Sequence, residues 1–149
     1  MLRPGVSGDI AIKDGRIAEM GVRVFGVVAM FKIIMTIRKR EDLSPQEFMA
    51  YYENHHAPLV HGIMRNVPVY RRNYIDGSAS VAGIPGGGPD MAGYDCISEI
   101  CFATREEAER HFTTLVSPAN RDRTVADEAN FIAPDGLQFY IVQVFESPI

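Results

Sequence analysis

An α+β domain, with two helical regions on one face of a four-stranded antiparallel sheet, is predicted by three observations. Four stretches carry strand character, at residues 30–37, 69–75, 94–102 and 137–145. Two stretches of helical spacing lie between the first and second strands and between the third and fourth, each opened by a capping signal. The resulting order, β-α-β-β-α-β, is the split βαβ pattern of a ferredoxin-like fold.

The first strand, Phe31-Lys32-Ile33-Ile34-Met35-Thr36-Ile37, is apolar on both faces and runs into the charged stretch 38–42, so both faces are expected to be covered. Ser44-Pro45-Gln46-Glu47 then starts a helix, with Ser as N-cap, Pro at the first helical position and Glu three residues after the cap. Phe48, Tyr52, His55 or His56, Leu59 and Ile63 follow at helical spacing and define its buried face. Pro58 is expected to kink or end that helix near the second His, because it lacks a donor and clashes with the preceding turn.

The second strand follows Pro68, and residues 77–93 form a long Gly/Pro-rich connection with no predicted structure of its own. Thr104-Arg105-Glu106-Glu107, after the third strand, is another capping box, with Ala108, Phe112 and Leu115 inward. Ser117-Pro118 restarts a helix whose expected inner face is Val125, Ala129 and Ile132. In the last strand Phe139, Ile141 and Phe145 share one face, and Tyr140, Val142 and Val144 the other.

A length of 149 residues suits one compact domain, placed at 30–149. Residues 1–29 read as an extension carrying a small hairpin over 9–20, turning at Asp14-Gly15. That extension is either a mis-assigned start, with Met30 the true first residue, or a hairpin packing on a dimer edge. A net charge of −4 offers no footprint for nucleic acid or an anionic membrane. The apolar run from Val24 to Met30 has seven residues, against the roughly 20 of a membrane helix. Asp9, Lys13, Asp14 and Glu19 interrupt any secretory leader, so a cytoplasmic protein is expected. Cys96 and Cys101 lie five positions apart in one strand, hence on opposite faces, and are expected to be free thiols packed in the core.

Two helices cover only one face of such a sheet, yet strands one and four carry large apolar side chains to the other. At ~25 cal/mol per Å², several hundred Å² of exposed sheet is worth roughly 10 kcal/mol before association costs. A homodimer joined sheet to sheet is therefore expected.

Three of the four histidines, His55, His56 and His61, lie in or just after the first helix, and an imidazole can accept or donate a proton near neutrality. Tyr52 sits one turn before His56 and could share its pocket. Asp95 and Glu99 share a side of the third strand. Glu99 is a candidate either for a raised pKa or for pairing with a His or Arg. A structural pair with Arg71 or Arg72 is the alternative for both carboxylates. His111 reads as a solvated or boundary residue. The glycines at 83–90 open no helix and no Lys-Ser/Thr pair follows, so a phosphate loop is rejected. A mobile loop is expected there, with a lid or dimer arm as the sharper use.

From Met30 to about Glu146 the chain resembles the EthD family of dimeric α+β-barrel proteins. The resemblance rests on Met30-Phe31-Lys32, Leu43-Ser44-x-x-Glu47-Phe48, Tyr51-Tyr52 with His56-Ala57-Pro58-Leu59, Tyr94-Asp95 with Glu99, and Ser117-Pro118 leading to Ala126-Asp127-Glu128-x-x-Phe131-Ile132. It implies a dimeric barrel. It also implies either a role in oxidative ether degradation, often labelled oxidoreductase, or cofactor-free dehydratase, decarboxylase or lactone-isomerase chemistry. The family's His-x-Pro histidine maps to His56, in a pocket between helices and sheet.

The expected function is thus a small enzyme needing no cofactor or metal, acting on an aromatic, lactone or polyketide-like compound. His56 would move a proton, with Tyr52 and Glu99 orienting the ring or substrate. His55, Asp95, Leu59 and Phe48 would line the binding site. The rivals are a non-catalytic accessory protein holding a hydrophobic metabolite, and a haem protein with a His as axial ligand.

Overall fold

A computed structural model describes residues 12–13, 16–17, 30–78 and 80–145. In chain order the elements are β1 (Ile12–Lys13), β2 (Arg16–Ile17), β3 (Phe31–Lys39), α1 (Pro45–Tyr51), a π-helical segment (Tyr52–His56), α2 (Ala57–Ile63), β4 (Val69–Tyr74), β5 (Ser80–Val81), β6 (Ile84–Pro85), α3 (Pro89–Ala92), β7 (Cys96–Phe102), α4 (Arg105–Leu115), α5 (Pro118–Glu128) and β8 (Ile132–Val142). The main sheet has the order β4-β7-β3-β8, antiparallel throughout, which is the ferredoxin-like α+β arrangement predicted.

The sheet register decides which side chains meet the helices. Met35 stands opposite Ser98 and Phe139, and Ile33 opposite Ile100 and Ile141; Tyr70 in turn pairs with Ile100, so these residues share the helix-covered face. Lys32, Ile34 and Thr36 stand opposite Cys101, Glu99 and Ile97, and these point to the face that no helix of the described residues covers. Ile33, Met35 and Ile37 are buried accordingly, while Ile34 and Thr36 are half-buried. Both thiols are free and buried, Cys96 on the helix side and Cys101 on the other.

Several expectations are corrected. Of the two outcomes expected at Pro58, the helix does not end there but is distorted through the second His. The missing Pro58 N–H is absorbed by one wide turn in which Ala57 N–H donates to the Tyr52 carbonyl five residues back, and the helix runs on to Ile63. That wide turn makes inward positions recur every four residues. The core face is therefore Phe48, Tyr52, His56, Val60 and Met64, with Leu59 and Ile63 only half-buried. Residues 77–93 carry structure after all, the β5–β6 hairpin and the single turn α3, closed by Gly93 at φ 77°.

In α5 the buried residue is Thr124, while Val125 is 55 % exposed. Ala129 caps the helix and Ile132 already belongs to β8. The last strand begins earlier than predicted because Asp135, at φ 55°, and Gly136 carry the chain past β3 at the irregularity between Ile37 and Lys39. A Cβ at Gly136 would lie 2.8 Å from two backbone oxygens. Of the hairpin expected over 9–20, the described residues show the ladder Ile12–Ile17 and Lys13–Arg16; the rest of that extension, its turn included, lies outside the described residues. No described helix is long and apolar enough to cross a membrane.

Candidate active site

The wide turn that accommodates Pro58 carries His56 inward, leaving it 7 % exposed, whereas His55 stays outside against the Tyr51 ring. Such π segments often accompany functional positions. His56 Nδ1 lies 2.7 Å from Oδ2 of Asp127, in the last turn of α5. The other carboxylate oxygen accepts a hydrogen bond from the Tyr51 hydroxyl at 2.9 Å, and Asn130 Nδ2 donates to that hydroxyl at 3.0 Å. A carboxylate facing Nδ1 places the imidazole proton there and leaves Nε2 as the accepting nitrogen. Among the described residues no buried side-chain nitrogen or oxygen lacks a partner. Nε2 has none, so it keeps contact with accessible space.

Burial lowers the His56 pKa below its ordinary value of 6.5, and the Asp127 hydrogen bond and charge oppose that shift only in part. The ring is therefore neutral at pH 7.

The ring is held from beneath by aromatics. Phe131, fully buried, packs at 4.9 Å between centroids and Tyr52 meets it edge-on at 5.2 Å. The Tyr52 hydroxyl is 1 % exposed as a residue and spoken for, 2.8 Å from Ser98 Oγ and accepting from the Tyr70 hydroxyl at 3.1 Å. Burial pushes the Tyr52 phenol well above its usual range and Tyr70 up to about 12. Tyr52 thus packs edge-on against the imidazole with its own hydroxyl already engaged. Phe48 supports it from one turn earlier, 6.1 Å away.

Above the sheet lies a small, partly open cavity of about 30 Å³, walled by His56, Tyr52, Tyr70, Val60, Ile100, Phe112, Leu115, Thr124, Glu128 and Phe139 among others. That is the space of about one water molecule. Phe139 is 52 % exposed on the edge strand β8 and touches Phe112 at 6.1 Å. A haem does not fit the cavity as it stands, because a porphyrin far exceeds this volume. The described residues also hold no cluster of three metal-ligating side chains. The larger concavity, about 360 Å³, is a surface cleft between α2 and α5 that takes in Leu59 and Arg123 and no member of the His56 network.

The structure brings His56, Tyr52 and Phe48 together and leaves four predicted residues elsewhere. Glu99 points to the uncovered face, across the sheet from His56, where Lys32 at 3.0 Å and Arg71 at 2.9 Å hold it. Those partners push its carboxyl below the ordinary range, the reverse of one expectation, and Arg71 is the neighbour the other expectation named. Asp95 braces the sheet end by accepting from the Lys39 backbone N–H at 2.9 Å, rather than pairing with an arginine. His55 is exposed and Leu59 lies at the outer cleft. His111 is half-buried on Phe102, a boundary residue as expected.

Asp127, Ser98, Tyr70 and Glu128 were not among the site residues read from the sequence. Only Asp127 and Glu128 carried a signal, as members of the Ala126-Asp127-Glu128 motif.

Comparison with solved structures finds the same fold at low identity. An EthD family protein from Bacillus halodurans is 18 % identical with a TM-score of 0.52, covering 78 % of this chain and 99 % of its own. An EthD-like protein from Ralstonia eutropha is 20 % identical with a TM-score of 0.50, covering 80 % and 96 %. A protein from Arabidopsis thaliana is 13 % identical with a TM-score of 0.52, covering 80 % and 99 %. No curated protein matches the chain. The EthD domain matches residues 40–135, which holds both partners of the His56–Asp127 pair, and the chain belongs to the EthD family.

Proposed function

We propose that this chain is a small proton-transfer enzyme of the dehydratase, isomerase or decarboxylase kind, working without a cofactor on an aromatic, lactone or polyketide-like compound. The observation that carries the reading is the buried, neutral imidazole whose Nδ1 is held 2.7 Å from Asp127. Asp127 orients the ring and steadies the imidazolium that forms when Nε2 takes a proton. In an isomerisation Nε2 removes a proton from carbon and returns it at another position. In a dehydration it gives that proton to the departing hydroxide, which leaves as water.

A ligand must widen the cavity, and Phe139 with Phe112 are the side chains to move. The face opposite the helices, with Ile34, Thr36, Ile97 and Val142 half-buried in a single subunit, supports a sheet-to-sheet homodimer as the working state. The test is a comparison of wild type with His56→Gln against a metabolite extract, read by mass spectrometry. Product from wild type alone supports the reading. Equal turnover by both refutes it, and a retained ligand with no product points instead to an accessory binding protein of an oxidative pathway.

A further inference from the structure

The wall of the His56 cavity carries five polar side chains, Tyr52, His56, Tyr70, Thr124 and Glu128, and no Lys, Arg, Asn or Gln. Where each sends its hydrogens decides what the cavity can hold. The Tyr70 hydroxyl donates to Tyr52 at 3.1 Å, so the Tyr52 hydrogen passes to Ser98 Oγ at 2.8 Å and that of the fully buried Ser98 to the Cys96 sulfur at 3.7 Å. This row of hydroxyls runs one way, inward, and leaves the Tyr70 oxygen with lone pairs to offer. Arg72 holds the Tyr70 ring, its guanidinium 4.7 Å from the ring centre and itself bound to both oxygens of Glu53 at 3.0 and 2.5 Å. Thr124 gives its hydrogen to helix carbonyls, of Asn120 at 3.2 Å and Arg121 at 2.9 Å. No described side chain donates to Glu128, and no buried side-chain oxygen lacks a partner, so its carboxyl reaches solvent. Although burial raises its pKa, that contact with water leaves it a carboxylate, and an acceptor, at pH 7. His56 keeps its hydrogen on Nδ1 for Asp127 and offers Nε2 as a lone pair.

We infer that Tyr70 selects the ligand of this cavity: its oxygen receives a hydrogen bond from a ligand hydroxyl, so the site takes phenols, enols and alcohols in preference to ethers, ketones and carboxylates. This deepens the preceding proposal and rests on its reading of His56 as the base. Every polar side chain of the wall accepts, and none has a hydrogen to give. An ether or ketone oxygen would be buried there without a partner. A carboxylate would in addition face the Glu128 and Asp127 charges with no cation to receive it. A hydroxyl brings the hydrogen that the wall lacks. Turning the Tyr70 hydrogen outward instead would take from the buried Tyr52 oxygen the hydrogen it accepts. With the ligand hydroxyl on Tyr70, Nε2 of His56 is left for the proton that moves. Hydroxylated aromatic or polyketide-like compounds are thereby favoured over a plain lactone.

The experiment uses the full chain at pH 7 with phenol and anisole, which share a ring and an oxygen and differ in whether that oxygen carries a hydrogen. The His56 ring resonances report binding by NMR. Phenol should bind about fivefold more tightly, within the roughly two- to tenfold range of one hydrogen bond, even though the anisole methyl group adds apolar surface in favour of anisole. Tyr70→Phe keeps the ring and loses the oxygen, so the preference for phenol should vanish. Ser98→Ala removes the acceptor of the Tyr52 hydrogen; that hydrogen then turns to Tyr70, whose own turns into the cavity, and the preference should vanish there too. Anisole binding as tightly as phenol to the wild type, no shift with either probe at millimolar concentration, or a phenol preference untouched in Tyr70→Phe or Ser98→Ala would overturn the role of Tyr70 and leave His56 as the base. Failure of the His56 reading shows separately, as turnover that survives His56→Gln.

Discussion

Replacing Asp127 by Asn and by Ala separates its charge from its hydrogen bonds, and the structure sets different magnitudes for the two. The carboxylate accepts from His56 Nδ1 at 2.7 Å and from Tyr51 at 2.9 Å. Asn can keep its oxygen on Tyr51 and turn its amide N–H toward Nδ1, which drives the ring into the tautomer protonated on Nε2. No polar group is orphaned, so the cost is about 1 kcal/mol.

Ala leaves the Nδ1–H and the Tyr51 hydroxyl without an acceptor, in a site where the His56 and Asp127 side chains are 9 % and 13 % exposed. At about 1–3 kcal/mol for each of the two lost partners, the penalty is about 2–6 kcal/mol, which lowers Tm by roughly 10 °C. Thermal melts measure the first difference and ring ¹⁵N shifts the second. Asn also removes the groups that raise the His56 pKa, so the titration of the ring moves further below 6.5. Turnover falls with Asn despite an intact fold, because Nε2 can no longer accept. An Asn variant that melts like Ala, or one whose ring still carries its proton on Nδ1, would refute the assignment of Asp127.

The folded His56 binds its proton less readily than the unfolded chain, so native stability is full above about pH 6.5 and declines as pH falls below it. Urea titrations at pH 7.5 and 5.5 should show that decline, and His56→Gln should reduce it. Cys96, fully buried with its thiol pushed up to about 11, and Cys101, also buried, should both resist alkylation at pH 8 until denaturant is added; mass spectrometry after iodoacetamide reads this. Ile34→Lys adds a charge to the half-buried centre of the uncovered face and should convert a dimer to monomer with Tm changed by only a few degrees. Sedimentation that finds the wild type monomeric at micromolar concentration removes the sheet-to-sheet dimer.

Element order was legible from local signals. Ser44 and Thr104 each announce a helix, and both accept the predicted capping hydrogen bond, from Glu47 N–H and Glu107 N–H. The alternation in β3 likewise places Ile33, Met35 and Ile37 on the buried side. These features depend on neighbours within a few residues, so a single sequence holds them.

The site depended on more. Helical spacing alone allowed His55 or His56 inward, and only the wide turn forced by Pro58 settled on His56. Asp127 lies 71 residues from its partner, and its frame in α5 is set by how that helix packs, which no local period records. Glu99 and Ser98 are adjacent in sequence but divided by the sheet, one bound to Lys32 and Arg71, the other to Tyr52. Local patterning along the chain settles the architecture and puts a histidine where helix meets sheet. Tertiary structure alone decided which carboxylate answers that histidine, because the pairing is made by side chains that meet only after the sheet and helices have closed on one another.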